Sequence, residues 1–396
     1  SGFRIDRNLR HVHNPEKNAL EQEALTMKLR SGLRLIPGIV LVFLLALPCL
    51  GAEPGPARKA VSAEPGLSIM AGQMIMTGFR GTGEAPLHQD LVFLLEDIAA
   101  GRVGGVILFD RDALLKTPDR NIVSLSQVAG LIRMLQEKAS IPLFIGVDQE
   151  GGKVRRIKEE HGFAPLASAE ELGRGSPKAT QDTGQRLGKA LHSLGINLNF
   201  APCLDVNSNP ASPAIGSLGR SFSRQATVVA AHGLAFARGL AEEGVIPCYK
   251  HFPGHGSAAD DTHLGLADIT ASWTEEELVP YREILPQSPP AMVMPGHIVH
   301  RDMTGNLPAS LSPEAVQGLL RGEFGWDGVV ITDDLQMQAV EGRYSTKEAL
   351  RLAVEAGADI LLLGNNLRHD SLEARKAHAL LLELVAEGAI KESRIA

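Results

Sequence analysis

The chain has 396 residues, 44% of them hydrophobic and 21% charged, with a formal net charge of -7. That balance excludes a disordered chain and a polytopic membrane protein, and its sign argues against a general nucleic-acid binder. Three cysteines exclude a disulfide-dense scaffold.

The charge is uneven along the chain. Residues 1–52 hold seven Lys/Arg and four Asp/Glu, a surplus of +3, so the remainder carries -10. Lys28, Arg30 and Arg34 follow Met27 and precede the uncharged run Leu35–Pro48, and the small residues Gly51 and Ala52 come next. A basic start, a short apolar run and a small-residue site describe a secretory signal peptide. The run falls short of the roughly 20 apolar residues of a membrane span, which disfavours a retained anchor. Pro48 before Cys49 disfavours a lipoprotein. The expected division is an upstream segment 1–26, a signal peptide 27–52, a Pro/Gly tether 53–66 and one large domain 67–396, exported to the periplasm.

From Leu67 onward, eight apolar runs alternate with longer amphipathic stretches. The runs are Ile69–Met76, Gly104–Phe109, Ile141–Val147, Ile196–Ala201, Val245–Tyr249, Ala291–Met294, Gly328–Ile331 and Asp359–Leu363. Their continuous hydrophobicity fits buried parallel strands. Between them, Gln127–Lys138 places Val128, Leu131, Ile132 and Leu135 on one helical face. Gln225–Glu243 ends before Gly244, a residue suited to a helix C-cap. Ser312–Arg321 opens Ser-Pro-Glu, and Thr346–Ala356 stops at Gly357. After Gly364 a last helix is expected over Ser371–Glu387, with no further domain. The pattern predicts an α/β fold, a single (β/α)8 TIM-type barrel. A doubly wound sheet is the alternative, weakened because no Gly-rich phosphate loop follows the first strand. Cys203 and Cys248 lie in strand-like runs and are expected to be buried free thiols.

In such a barrel, chemistry sits at the C-terminal strand ends. The third run leads into Asp148-Gln149-Glu150, the fourth into Asp205, and the fifth into Lys250-His251-Phe252-Pro253-Gly254-His255-Gly256. His297 follows the sixth, and Thr332-Asp333-Asp334 follows the seventh. Asp333 suits a nucleophile, base or metal ligand; Asp334 suits a helix N-cap. His251, His255 and His263 could suggest zinc, but Pro253, Gly254 and Gly256 break the helix that four-residue spacing would need. No metal and no cofactor are expected. Asp261 and His263, two apart, suit a carboxylate that orients an imidazole for proton transfer.

Lys250-His251-Phe252-Pro253-Gly254-His255-Gly256 with Asp261-Thr262-His263 resembles the signature of family 3 glycoside hydrolases, in their β-N-acetylhexosaminidase (NagZ-type) branch. Gly105–Phe109, Asp148–Arg156, Asn199–Val206, Gly219–Phe222 and Ile331–Met337 resemble other segments of that family, in the same order. The resemblance implies a retaining hydrolase that releases terminal β-linked N-acetylglucosamine from peptidoglycan or chitin-type fragments. It implies Asp333 as the nucleophile and His263 with Asp261 as general acid/base. It assigns Asp148, Arg156, Arg220, Lys250 and His251 to sugar binding, with Asp205 behind them. The expected partner is a carbohydrate, taken up by a monomer, with no nucleic acid and no membrane partner beyond the export signal. Phosphorolysis, a β-glucosidase without N-acetyl preference and a catalytically dead saccharide-binding barrel are the competing readings.

Overall fold

The computed structural model describes residues 66–260 and 265–395. The upstream segment, the signal peptide and all of the tether except Gly66 lie outside the described residues.

Short β-branched and apolar runs make eight strands: β1 Ile75–Thr77, β2 Gly105–Leu108, β3 Phe144–Val147, β4 Leu198–Asn199, β5 Ile246–Phe252, β6 Met292–Pro295, β7 Val329–Val330 and β8 Leu361–Leu363. They form one sheet in the order β7-β6-β5-β4-β3-β2-β1-β8, with every neighbouring pair parallel. The sheet curls. Its two outer strands approach through a parallel bridge at Ile331 and Ile360, where Thr332 N donates to Ile360 O at 3.0 Å.

Successive side chains in a strand point to opposite faces, and here the two faces serve two cores. Met76, Ile107, Leu198, Met292, Met294 and Leu362 fill the inside of the curl. Ile75, Val106, Ile145, Val293 and Leu361 face outward into the larger core shared with the helices. Gly146 on β3 keeps room for the inner layer, because a Cβ there would stand 2.5 Å from Met76 Cε and 2.8 Å from the Phe200 ring.

The helices wrap the outer face. They include α1 Leu67–Gln73, α2 Leu125–Lys138, α3 Pro177–Leu194, α4 Ala226–Glu242, α5 Thr346–Ala356 and α6 Glu373–Ala386. On α2 the expected stripe Val128, Leu131, Ile132 and Leu135 is the buried face, and Ser124 caps its start by accepting from Gln127 N. Helix α5 begins under a Ser345 cap and stops at Gly357, whose φ of 109° a side-chain-bearing residue rarely adopts. The stretch after Ser312 is a wide π-type helix, Glu314–Glu323.

Most of the strands are shorter than their apolar runs, and the first run is mainly helix. Of Ile69–Met76, the first part is helix α1 and only Ile75 onward is β1. An unbroken apolar run does not by itself distinguish helix from strand. Packing decides here: Gly72 lets α1 lie against the backbone of Gly101 and Arg102, and Ser68 O accepts from His378 Nε2 on α6 at 2.8 Å. Cys203 and Cys248 are buried free thiols, as expected.

Candidate active site

The C-terminal ends of the strands open into a cavity of about 470 Å3 lined by Asp148, Arg156, Arg220, Lys250, His251 and Asp333, together with Phe109, Phe200 and Met294. All five residues assigned to sugar binding, and the assigned nucleophile, therefore face one space. Asp261 and His263 lie outside the described residues.

Strand β5 is longer than its apolar run and continues through Lys250, His251 and Phe252. It carries Lys250 into a buried charge network. Lys250 Nζ reaches Asp148 Oδ1 at 2.9 Å and Glu150 Oε1 at 2.7 Å. Arg156 Nη2 donates to Asp148 Oδ2 at 3.1 Å. Arg220 grips Glu150 with two bonds, Nε to Oε2 at 2.9 Å and Nη2 to Oε1 at 2.7 Å. Such bidentate guanidinium–carboxylate pairs fix direction as well as charge.

Burial opposes charge on Asp148, Glu150, Lys250 and Arg220, and their partners reverse it. Burial would raise the pKa of Asp148, but Lys250 and Arg156 hold it well below the usual carboxylate range. The same contest leaves Glu150 at about 2, held down by Arg220 and Lys250. Burial would lower Lys250 and Arg220, yet the carboxylates raise both. All four stay ionised at neutral pH and present charged donors and acceptors, which suit a ligand rich in hydroxyl groups.

Asp205, fully buried at the exit of β4, organises the next layer. Its Oδ2 accepts from His251 Nδ1 at 2.7 Å and from Cys203 Sγ at 3.0 Å, and its Oδ1 accepts from the backbone N of His251 and of His255 at 3.2 and 2.7 Å. The bond to Nδ1 assigns the proton there and turns Nε2 toward Arg220 Nη2, 3.4 Å away. The sulfur, carboxylate and imidazole donors of Cys203, Asp205 and His251 lie within 4.8 Å of one another, and hydrogen bonds among them account for that closeness. His255 stacks edge-on against His251 with ring centroids 5.7 Å apart, and burial drives its pKa down to about 4.

The end of β7 supplies Asp333, whose Oδ1 accepts from Asp334 N at 2.8 Å. Asp334 does not cap the following helix Gln338–Glu341, which starts after Met337. It accepts instead from Gln336 N at 3.0 Å and Gly364 N at 2.8 Å, tying the exits of β7 and β8 together. His297 is buried and bonded to Ser310 Oγ and the Asp334 carbonyl, so it braces the same corner. Sequence reasoning places Glu150 inside a motif and assigns it no role; its position two residues past Asp148 is the signal that could find it. Glu277, on the helical turn Glu275–Leu278, carries no such signal.

The sequence pattern of the glycosyl hydrolase family 3 N-terminal domain matches residues 60–396. The chain belongs to glycoside hydrolase family 3. Within that family it is 33% identical over 330 residues to a Beta-hexosaminidase of Xylella fastidiosa (strain 9a5c), covering 80% of this chain and 92% of the relative. It is 34% identical over 336 residues to Beta-hexosaminidase A of Pseudoalteromonas piscicida, covering 76% of this chain. The chain spans only 54% of that relative's length. Among solved structures, the family 3 β-N-acetylglucosaminidase of Paenibacillus sp. str. FPU-7 superposes with a TM-score of 0.74 at 36% identity, over 84% of this chain and 60% of that one.

Proposed function

We propose that this family 3 chain is a retaining β-N-acetylhexosaminidase built on a closed (β/α)8 barrel, and that it removes terminal N-acetylglucosamine from peptidoglycan or chitin-type fragments after export as a monomer. The observation that carries the reading is the convergence of Asp333 with Asp148, Lys250 and Arg220 in one cavity, the last two held by ion pairs to Glu150 behind it. The names of the relatives support the choice of N-acetylglucosamine.

In this mechanism the Asp333 carboxylate attacks the anomeric carbon, and the glycosidic C–O bond breaks. His263, oriented by Asp261, gives its proton to the departing oxygen. The glycosyl-enzyme then reacts with water, which loses a proton to His263, and Asp333 departs as the carboxylate. An imidazole titrates near neutrality, so it can serve in both steps. Two displacements at one carbon retain the configuration. Asp148 accepts from sugar hydroxyls while Lys250, Arg156 and Arg220 donate.

Asp333→Ala is expected to abolish turnover of an aryl β-N-acetylglucosaminide. Wild-type rates from that variant would remove Asp333 as nucleophile. His263→Ala is expected to slow substrates with poor leaving groups far more than activated aryl glycosides, and equal losses on both would remove it as the acid.

A further inference from the structure

The cavity wall is basic although the chain is acidic. Seven Lys/Arg side chains line it against four Asp, while residues 53–396 together carry -10. Five of the seven cations are matched by carboxylates. Arg156 and Lys250 pair with Asp148, and Lys250 and Arg220 pair with Glu150. Lys158 pairs with Asp110 at 2.5 Å, and Arg155 with Glu159 at 2.9 Å. Arg111 and Lys153 differ: among the described residues neither has a carboxylate partner. Arg111 Nη2 donates to Lys116 O at 3.1 Å and Lys153 Nζ to Ser217 O at 3.0 Å, and both residues are exposed.

Both cations leave from fixed backbone. Arg111 opens a short antiparallel hairpin at the exit of β2, Arg111–Asp112 against Thr117–Pro118. The buried Asp112 carboxylate ties that hairpin down through Arg80 Nε at 2.6 Å and through Arg120. From the exit of β8, Asn366 Nδ2 donates to Arg111 O at 3.1 Å, and its Oδ1 accepts from Ala113 N at 2.9 Å. Lys153 stands at the exit of β3, on the turn between the paired segments Gln149–Gly151 and Val154–Arg155. Gly151 on that turn has a φ of 108°, and a Cβ there would stand 2.1 Å from Ala167 O. Strands β2 and β3 are neighbours in the sheet, so the two cations come from adjacent exits.

The terminal sugar is neutral, and its hydroxyls are assigned to the buried partners of the network. It offers no charge to the two exposed cations. Beyond the terminal residue, the only further part of such a substrate is the aglycone. We propose that Arg111 and Lys153 form a subsite for a carboxylate on the aglycone sugar, so that fragments whose second sugar is acidic are favoured over neutral chitin-type ones. The proposal rests on the reading of the cavity as that of a terminal N-acetylglucosaminidase. A guanidinium offers a carboxylate a fork of donors, and an ammonium offers it a point charge. One exposed ion pair contributes little. Two cations without carboxylate partners, in a concave wall of the same sign, concentrate an anionic ligand and speed its entry.

The test uses the full chain and two disaccharides with the same leaving sugar. Each carries N-acetylglucosamine β-1,4-linked to an N-acetylhexosamine with a 3-O-lactyl group, one as the free acid and the other as its methyl ester. The wild type is expected to show about tenfold higher kcat/KM on the acid at low salt, and the ratio to fall toward one in about 0.5 M NaCl. Arg111→Gln and Lys153→Gln are each expected to lower the acid-to-ester ratio, and the double substitution to bring it close to one. A loss of folded enzyme lowers both rates equally and leaves the ratio alone. Equal wild-type rates on acid and ester overturn the subsite and leave the N-acetylglucosaminidase reading in place. A preference for the acid that survives the double substitution also overturns it, because the charge is then read by other cations of the wall. If the wild type releases N-acetylglucosamine from neither disaccharide nor from an aryl β-N-acetylglucosaminide, the reading itself fails and the subsite falls with it.

Discussion

Asp205 shows how much of the site depends on a residue that cannot reach a ligand. Four donors converge on its carboxylate, two from backbone and two from side chains, and one of them sets the face that His251 presents to the cavity. Asp205→Asn keeps the shape and removes the charge. One amide position then offers N–H to a donor, so the imidazole loses its fixed tautomer and orientation. The expected result is a fall in kcat/KM of about tenfold to a hundredfold, carried mostly by KM if His251 acts in binding. Steady-state kinetics on an aryl β-N-acetylglucosaminide would show it; an unchanged KM would separate His251 from sugar recognition. Residues of this kind are partly legible in sequence. Asp205 and Asp148 end apolar runs, and that position alone puts them at the rim. Glu150 sits two residues past Asp148, and only the fold shows it pairing with Arg220 from 70 positions away.

At the scale of elements, hydrophobic period carries most of what is legible. The stripe on α2 and the Gly stop of α5 are local signals, and each is realised within a few residues. The failures are tertiary. Ile69–Met76 divides into α1 and β1 because Gly72 meets the backbone of Gly101 and Arg102, and β5 extends past its apolar run because Cys203 bridges Lys250. The Pro253–Ala258 turn makes the same point as an experiment. Gly256→Ala forces a Cβ into the Val206 carbonyl, and backbone there must move. A destabilisation of about 2–4 kcal/mol is expected in urea unfolding. Gly265→Ala is the control, since a Cβ there meets nothing within 4 Å; it is expected to change stability by less than about 0.5 kcal/mol. Equal stability of the two variants would show that the turn is not wedged against β4.

For the whole molecule, two buried groups push the pH dependence of stability in opposite directions. Burial raises Glu277 to about 7, and the Asp205 charge adds to that rise against the bonds from Ser208, Val206 and Gly256. An unfolded glutamate titrates near 4.3. Between those values the folded state keeps a proton that the unfolded state has released, so stability falls as pH rises, by roughly 3 kcal/mol in all. Burial lowers His255 to about 4, and the nearby His251 lowers it further. The unfolded imidazole titrates near 6.5, so here the unfolded state binds the proton and stability rises with pH over nearly the same window, by a similar amount. His232, also lowered by burial, adds to that rise. The wild-type profile from pH 4.5 to 7 is therefore expected to be almost flat because two steep slopes offset each other. Below it, Asp148, Glu150 and Asp205, all held low, lose their contribution as pH falls from about 4, and acid unfolding follows. Glu277→Gln removes the falling slope alone. Urea unfolding of that variant at pH 5, 6 and 7 should show stability climbing by about 2 kcal/mol where the wild type stays nearly level. A variant whose profile runs parallel to that of the wild type would mean that Glu277 is ionised in the fold throughout this range, and that its hydrogen-bond donors outweigh its burial.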